Sequence, residues 1–185
     1  MAKPFGTYLE HKFKAYLSIK YDYDLGNSAS GIDFPGLQVD VKVTSINQPQ
    51  SSCPFKSARQ KIFGLGYSIL VFVYTKTDDP TTVSGNLNMN HVVFIEKGQT
   101  ADYQTTTGLR SIIENNGNEE DLVGFMFDRN LPLDEIEAHA IAKELLMAPP
   151  LPIGYLTISN ALQWRLQYNR VISQAGQVQG LLKIV

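Results

Sequence analysis

The chain carries one cysteine, Cys53, among 185 residues. A lone thiol excludes an intrachain disulfide and any cysteine-rich zinc site. Histidine is almost as scarce: His11, His91 and His139 lie far apart, which argues against a histidine metal centre. No apolar run approaches membrane-spanning length, and the opening MAKPFGTYLEHKF lacks the apolar stretch of a signal peptide. The expected compartment is a reducing, bacterial-type cytoplasm. Positive charge is not in excess either: the net charge is −2, which excludes nucleic-acid binding through bulk basicity. It does not exclude a cleft with basic walls and an acidic, metal-filled floor, since such a site sums to near neutrality. Internal repeats and low-complexity segments are absent. What remains is an ordinary globular composition, 43% hydrophobic and 18% charged, of a length expected for a single domain over residues 1–185.

Apolar periodicity organises the chain. Tyr8, Leu9, Phe13, Tyr16 and Leu17 recur at helical spacing and predict an amphipathic first helix over 8–20. The polar YDYDLGNSASG then connects to a hairpin, with residues 31–34 as one strand, Pro35-Gly36 as the turn and Val39–Ser45 as the second strand. FKSARQKIFG (55–64) suits a helix with Ser57 near its start and Gly64 or Gly66 at its stop. SILVFVY (68–74) has the continuous apolar pattern of a strand buried on both faces, and HVVFIEK (91–97) reads as its successor across a turn-rich connection. A short helix at 106–115, a strand at LVGFMF (122–127), a helix at 133–147 and a long last helix over 157–174 complete the expectation. The predicted class is α/β, or α+β, with a mixed sheet and helices on both faces.

The stretch VDVKV holds the chemistry. Side chains alternate along a strand, so Asp40 and Lys42 project to one side while Val39, Val41 and Val43 project to the other. Asp33, on the partner strand of a tight hairpin, can come beside Asp40. Two close carboxylates repel unless a cation lies between them, and hard oxygen ligands with water-filled positions suit Mg²⁺. A neighbouring Lys42 can orient a water or stabilise charge on a phosphate. Taken alone, a D-x-K strand is equally a solvated sheet face.

The pattern Asp33, six residues, Asp40-Val41-Lys42 resembles the PD-(D/E)XK nuclease motif, and the order helix, hairpin, strand, helix, strand resembles that superfamily's αβββαβ core. The short spacing is similar to that of MutH-type nicking enzymes and of some type II restriction endonucleases. The resemblance covers about residues 8–97; residues 98–185 are additions with helical character. Ile32 stands where the pattern has proline, and Asp40 where it more often has glutamate. The resemblance implies that Asp33 and Asp40 ligate Mg²⁺, with the Val41 carbonyl as a further ligand. It also implies that Lys42 contacts the attacking water or scissile phosphate, and that Glu10 on the first helix supplies an additional acid. The implied activity is Mg²⁺-dependent hydrolysis of double-stranded DNA at a short sequence, leaving 5′-phosphate ends, by a type II restriction endonuclease. A homodimer is expected, since two sites cut both strands of a palindrome most simply. The alternatives are a MutH-like nicking or repair nuclease and a non-catalytic DNA-binding domain.

Two regions are candidates for DNA contact. In INQPQSSCPFKSARQK, Gln48, Gln50, Ser51 and Ser52 can reach base edges or phosphates, Lys56, Arg59 and Lys61 the backbone, and Gln60 resembles a site-supporting glutamine. On the expected last helix, Gln163, Gln167 and Arg170 fall on one face, while Trp164, Tyr168 and Val171 form the core stripe. Cys53, His91 and His139 read as structural or solvated.

Overall fold

The computed structural model describes residues 3–23, 32–53, 57–82, 84–148, 151–159 and 165–185, without the side chains of 3–6. In chain order the elements are α1 (Lys3–Lys20), β1 (Val39–Ser45), β2 (Gln50–Ser52), α2 (Ala58–Phe63), β3 (Ser68–Asp79) and β4 (Ser84–Ile95). There follow α3 (Tyr103–Glu114), α4 (Glu119–Asp128), α5 (Glu135–Met147), β5 (Thr157–Ile158), β6 (Arg165–Gln167), α6 (Asn169–Gln174) and β7 (Leu181–Lys183). The fold is mixed α/β with a mixed sheet and helices on both sides, as the periodicity predicts. Among the described residues no helix is long and apolar enough to cross a membrane. The chain divides into two compact units, one of residues 1–51, 67–96 and 168–185, the other of 52–66 and 97–167.

The first unit is built on a sheet of order β1-β3-β4-β7, with β1 parallel to β3 and the other pairs antiparallel. Ile69, Val71 and Val73 on β3 and Val93 and Ile95 on β4 are fully buried on one face. The other face meets α1, whose Phe13 packs edge-on against Phe72 at 5.2 Å and Phe34 at 6.5 Å. Of the apolar stripe expected on α1, Tyr8 and Tyr16 are instead exposed, each under a lysine one turn on: Lys12 over Tyr8 and Lys20 over Tyr16. α6 packs on β4 through the buried Val171, just after the buried Tyr168.

Residue 31 of the expected first hairpin strand lies outside the described residues, and of 32–34 only Phe34 pairs. Phe34 forms a single antiparallel bridge with Val39, Phe34 N–H donating to Val39 O at 2.9 Å and Val39 N–H returning to Phe34 O at 3.2 Å. A 3₁₀ turn over Pro35–Leu37 joins them, and Gln38 closes it in the left-handed region at φ 53°. Pro35 fixes φ for that tight turn, so the chain doubles back without a two-sided ladder.

The second unit buries Ala58, Ile62, Leu109, Leu122, Val123, Met126, Ile141, Ala142 and Leu145 among α2–α5. The strand expected at 122–127 is helix α4. Its start carries a reciprocal cap: Asp121 N–H donates to the Asn118 side chain at 3.0 Å and Asn118 N–H to the Asp121 carboxylate at 2.8 Å. Acids fill the first turn, where the helix dipole favours them. The long helix expected over 157–174 is also absent as such. Thr157 and Ile158 pair with Gln167 and Leu166 as strands β5 and β6; residues 160–164 lie outside the described residues, and among the described residues of this stretch only Asn169–Gln174 is helical. Buried Asp102 anchors β5, its Oδ1 accepting the Ile158 N–H at 2.8 Å.

Candidate active site

The tight turn before β1 and the α1 helix converge on one cluster in the first unit. Asp33 precedes the bridging Phe34, and its Oδ2 accepts the Val41 N–H at 2.8 Å. Its Oδ1 accepts from the Lys14 ammonium at 2.7 Å, and the same ammonium reaches Glu10 Oε1 at 2.8 Å. Asp40 is almost fully buried at 2% exposure, and its carboxyl is close enough to that of Asp33 for each to shift the other's titration. Lys42 Nζ sits 2.7 Å from Asp40 Oδ2 on the same strand face. That contact is an ion pair whose angle leaves the oxygen without a directional donor among the described residues. Within a β-strand a residue's N–H and C=O leave on the same side, so the Val41 carbonyl also points towards Asp33.

Lys14 is the member that sequence reasoning missed. Its signal was present, because position 14 is one helical turn after Glu10 and so shares its face. Nothing local reveals that the loop carrying Asp33 returns to the same spot.

Charge is unevenly distributed over the cluster. Burial, offset in part by Lys42 and reinforced by Asp33, pushes the Asp40 carboxyl up to about 6. Burial also works upwards on Asp33, but the hydrogen bonds from Lys14, from Asp40 and from the Val41 N–H outweigh it and hold the carboxyl below its usual value. Burial would lower the Lys14 ammonium; its bonds to Asp33 and Glu10 leave it raised. The two carboxyls therefore titrate as a pair, the first proton leaving early and the second near 6.

The donor set fits one hard cation. Among the described residues no group of three or more His, Cys, Asp or Glu side chains forms a metal cage. Mg²⁺ does not need one, since it commonly takes one or two carboxylates and keeps several waters. Two close carboxyls, one with an oxygen that lacks a directional donor, satisfy that requirement.

The expected DNA-contacting residues separate into several environments. After β1, buried Thr44 organises the loop: its hydroxyl donates towards Gln48 O at 3.1 Å and Gln50 O at 3.0 Å and accepts the Gln50 N–H. Gln48 and Ser52 are exposed, Gln50 is half-buried, and Ser51 Oγ lies 2.6 Å from the buried Tyr168 hydroxyl. In the second unit Arg59 pairs with Glu144 at 2.5 Å and lies over Phe63, and Gln60 is half-buried. Lys61 does not present its charge to solvent as expected: it is 5% exposed, and burial, opposed by Asp102, lowers its pKa. Lys56 and Gln163 lie outside the described residues. Gln167 is on strand β6 and Arg170 on α6, so the shared helical face expected of Gln163, Gln167 and Arg170 does not exist.

Comparison with known proteins places the chain in a family. No solved structure matches the chain. A curated relative, type II restriction enzyme NspV from Nostoc sp. (strain ATCC 29411 / PCC 7524), is 62% identical over 182 residues, covering 98% of this chain and 82% of the relative. The family model for type II restriction enzyme NspV matches residues 1–183. With a match of that extent, the chain belongs to the NspV family and is a type II restriction endonuclease.

Proposed function

We propose that the enzyme cuts double-stranded DNA at a short specific sequence, and that the cluster around Asp33 and Asp40 is where the phosphodiester is hydrolysed. The observation that carries this reading is the closeness of the Asp33 and Asp40 carboxyls, with Lys42 at 2.7 Å from Asp40. Asp33, Asp40 and the Val41 carbonyl would hold Mg²⁺. When bound, the cation lowers the pKa of a coordinated water and offsets charge on the phosphate. Lys42, no longer needed to balance Asp40, turns its ammonium to the attacking water or the scissile phosphate. The water oxygen bonds to phosphorus, the bond to the 3′ oxygen breaks with that oxygen taking a proton, and 5′-phosphate and 3′-hydroxyl ends result. Glu10 acts through Lys14, which keeps Asp33 in place.

On the loop that follows β1, Gln48 and Gln50 supply hydrogen-bonding groups to the DNA, and Ser52, Lys56, Arg59, Gln60, Gln163, Gln167 and Arg170 are further candidate contacts from the sequence. The protein works as a cytoplasmic homodimer, one site per strand. The test is incubation with unmethylated phage DNA and Mg²⁺, which should yield discrete fragments. Lys42→Ala should lower cutting by at least about a hundredfold, as for loss of a group acting on transition-state charge. The variant should still bind the target duplex in Ca²⁺; normal cutting would remove Lys42 from the site.

A further inference from the structure

Past the end of β1 the sheet narrows to two strands. β1 follows β3 only to the Ser45–Tyr74 pair, and β7 meets β4 only over Val93–Ile95. β3 and β4 stay paired as far as Asp79 and Ser84, so residues 75–79 and 84–88 form a two-stranded ribbon. Such a ribbon is marginal in water by itself, and this one is braced at both ends. At the turn, Asp79 accepts the Thr81 N–H and the Thr82 hydroxyl, each at 2.8 Å. At the base, a bulge leaves Asn90 as an extra residue of β4, and Thr75 donates its hydroxyl to Asn90 Oδ1 at 2.7 Å.

The ribbon has two unlike faces. Alternation along β3 is unbroken from Val71 through Val73 and Thr75 to Thr77, and Lys42 is the register partner of Val71. Asn88 pairs with Thr75 and Asn86 with Thr77. Thr77, Asn86 and Asn88 are exposed, and they make no side-chain hydrogen bond among the described residues. This patch of amides and hydroxyls therefore continues the sheet face that carries Asp40 and Lys42. Lys76 and Asp78 pair with each other on the opposite face.

We propose that this face of the β3–β4 ribbon enters a groove of the target duplex, where Asn86 and Asn88 read base edges; this rests on double-stranded DNA being the substrate. A two-stranded ribbon fits the major groove, and a carboxamide there bonds adenine through both of its polar atoms. Residues two apart on a strand are about 6.8 Å apart, matching two base-pair steps of about 3.4 Å. Uncharged side chains give little attraction to phosphate, so their contribution is selectivity rather than general affinity.

The test uses the full chain, the duplex the wild type cleaves, its single-base-pair variants and an unrelated duplex, with binding measured in Ca²⁺ and cleavage in Mg²⁺. Asn86→Ala and Asn88→Ala should each reduce discrimination by roughly 5- to 150-fold at one or two neighbouring base pairs. Affinity for the unrelated duplex should stay within about twofold. Equal losses on every duplex, unchanged discrimination, or a change in subunit association without a change in discrimination would each overturn the inference. A wild type that cuts no DNA at all would remove the substrate reading on which it stands.

Discussion

Asp40 is the residue whose environment has the clearest consequence. Unfolded, its carboxyl loses its proton near 3.8; folded, burial first and Asp33 in addition keep the proton to about 6. Between those values the folded state binds the extra proton, so Asp40 makes the metal-free protein less stable as pH rises from 4 to 6. The lost stability is on the order of 2 kcal/mol. Asp33 has the opposite sign: its stabilisation is complete above 3.8 and fades as pH falls through its lowered folded value. Urea unfolding in EDTA should therefore show Asp40→Asn gaining on the wild type as pH rises from about 4 to about 7, with the gap steepest below 6. A constant gap would place Asp40 in an ordinary solvated setting. By the same linkage, Mg²⁺ must displace the shared proton, so its binding should weaken about tenfold per pH unit below 6. Titration calorimetry measures that slope directly.

At the level of elements, the two failed assignments have different causes. LVGFMF is a short apolar run that suits a strand, yet the NGNEED stretch before it caps a helix, and capping chemistry outweighed a six-residue pattern. TISNALQWRLQYNRVISQ has helical periodicity, yet Thr157 and Ile158 pair with Gln167 and Leu166, and Asp102, more than fifty positions earlier, anchors β5 through the Ile158 N–H. The Asp102 carboxylate also takes the Thr105 N–H at 2.9 Å and hydroxyl at 2.7 Å, so one buried side chain starts α3 and anchors β5. Asp102→Ala leaves those donors unpaired and should destabilise the protein by about 3 kcal/mol or more, one to three for each orphaned group. Asp102→Asn keeps acceptors in place and should cost distinctly less. Equal midpoints for the two variants in urea would show that the carboxylate holds nothing together.

For the whole molecule, the site lies in a unit assembled from three separated segments, and each chain carries one such cluster. Cutting both strands of a short palindrome with one cluster per chain is simplest for a two-fold dimer. Sedimentation of the purified enzyme should give a mass near twice 20.6 kDa, at least with target DNA in Ca²⁺. A monomer on the duplex that nicks one strand per encounter would favour the nicking alternative.

The sequence by itself determined the strand that carries Asp40 and Lys42, the Pro35 turn and a strand over 68–74, of which one face, Ile69, Val71 and Val73, is buried. All of these depend on neighbours within about ten residues, where periodicity and turn chemistry act directly. Only the tertiary structure decided that Asp33 lies close to Asp40, that Lys14 joins Asp33 to Glu10, that Lys61 is buried, and that β3 and β4 run on as a polar ribbon. Those outcomes depend on hydrogen bonds and packing between segments far apart in the chain. Such contacts have no local period and form only once the sheet exists.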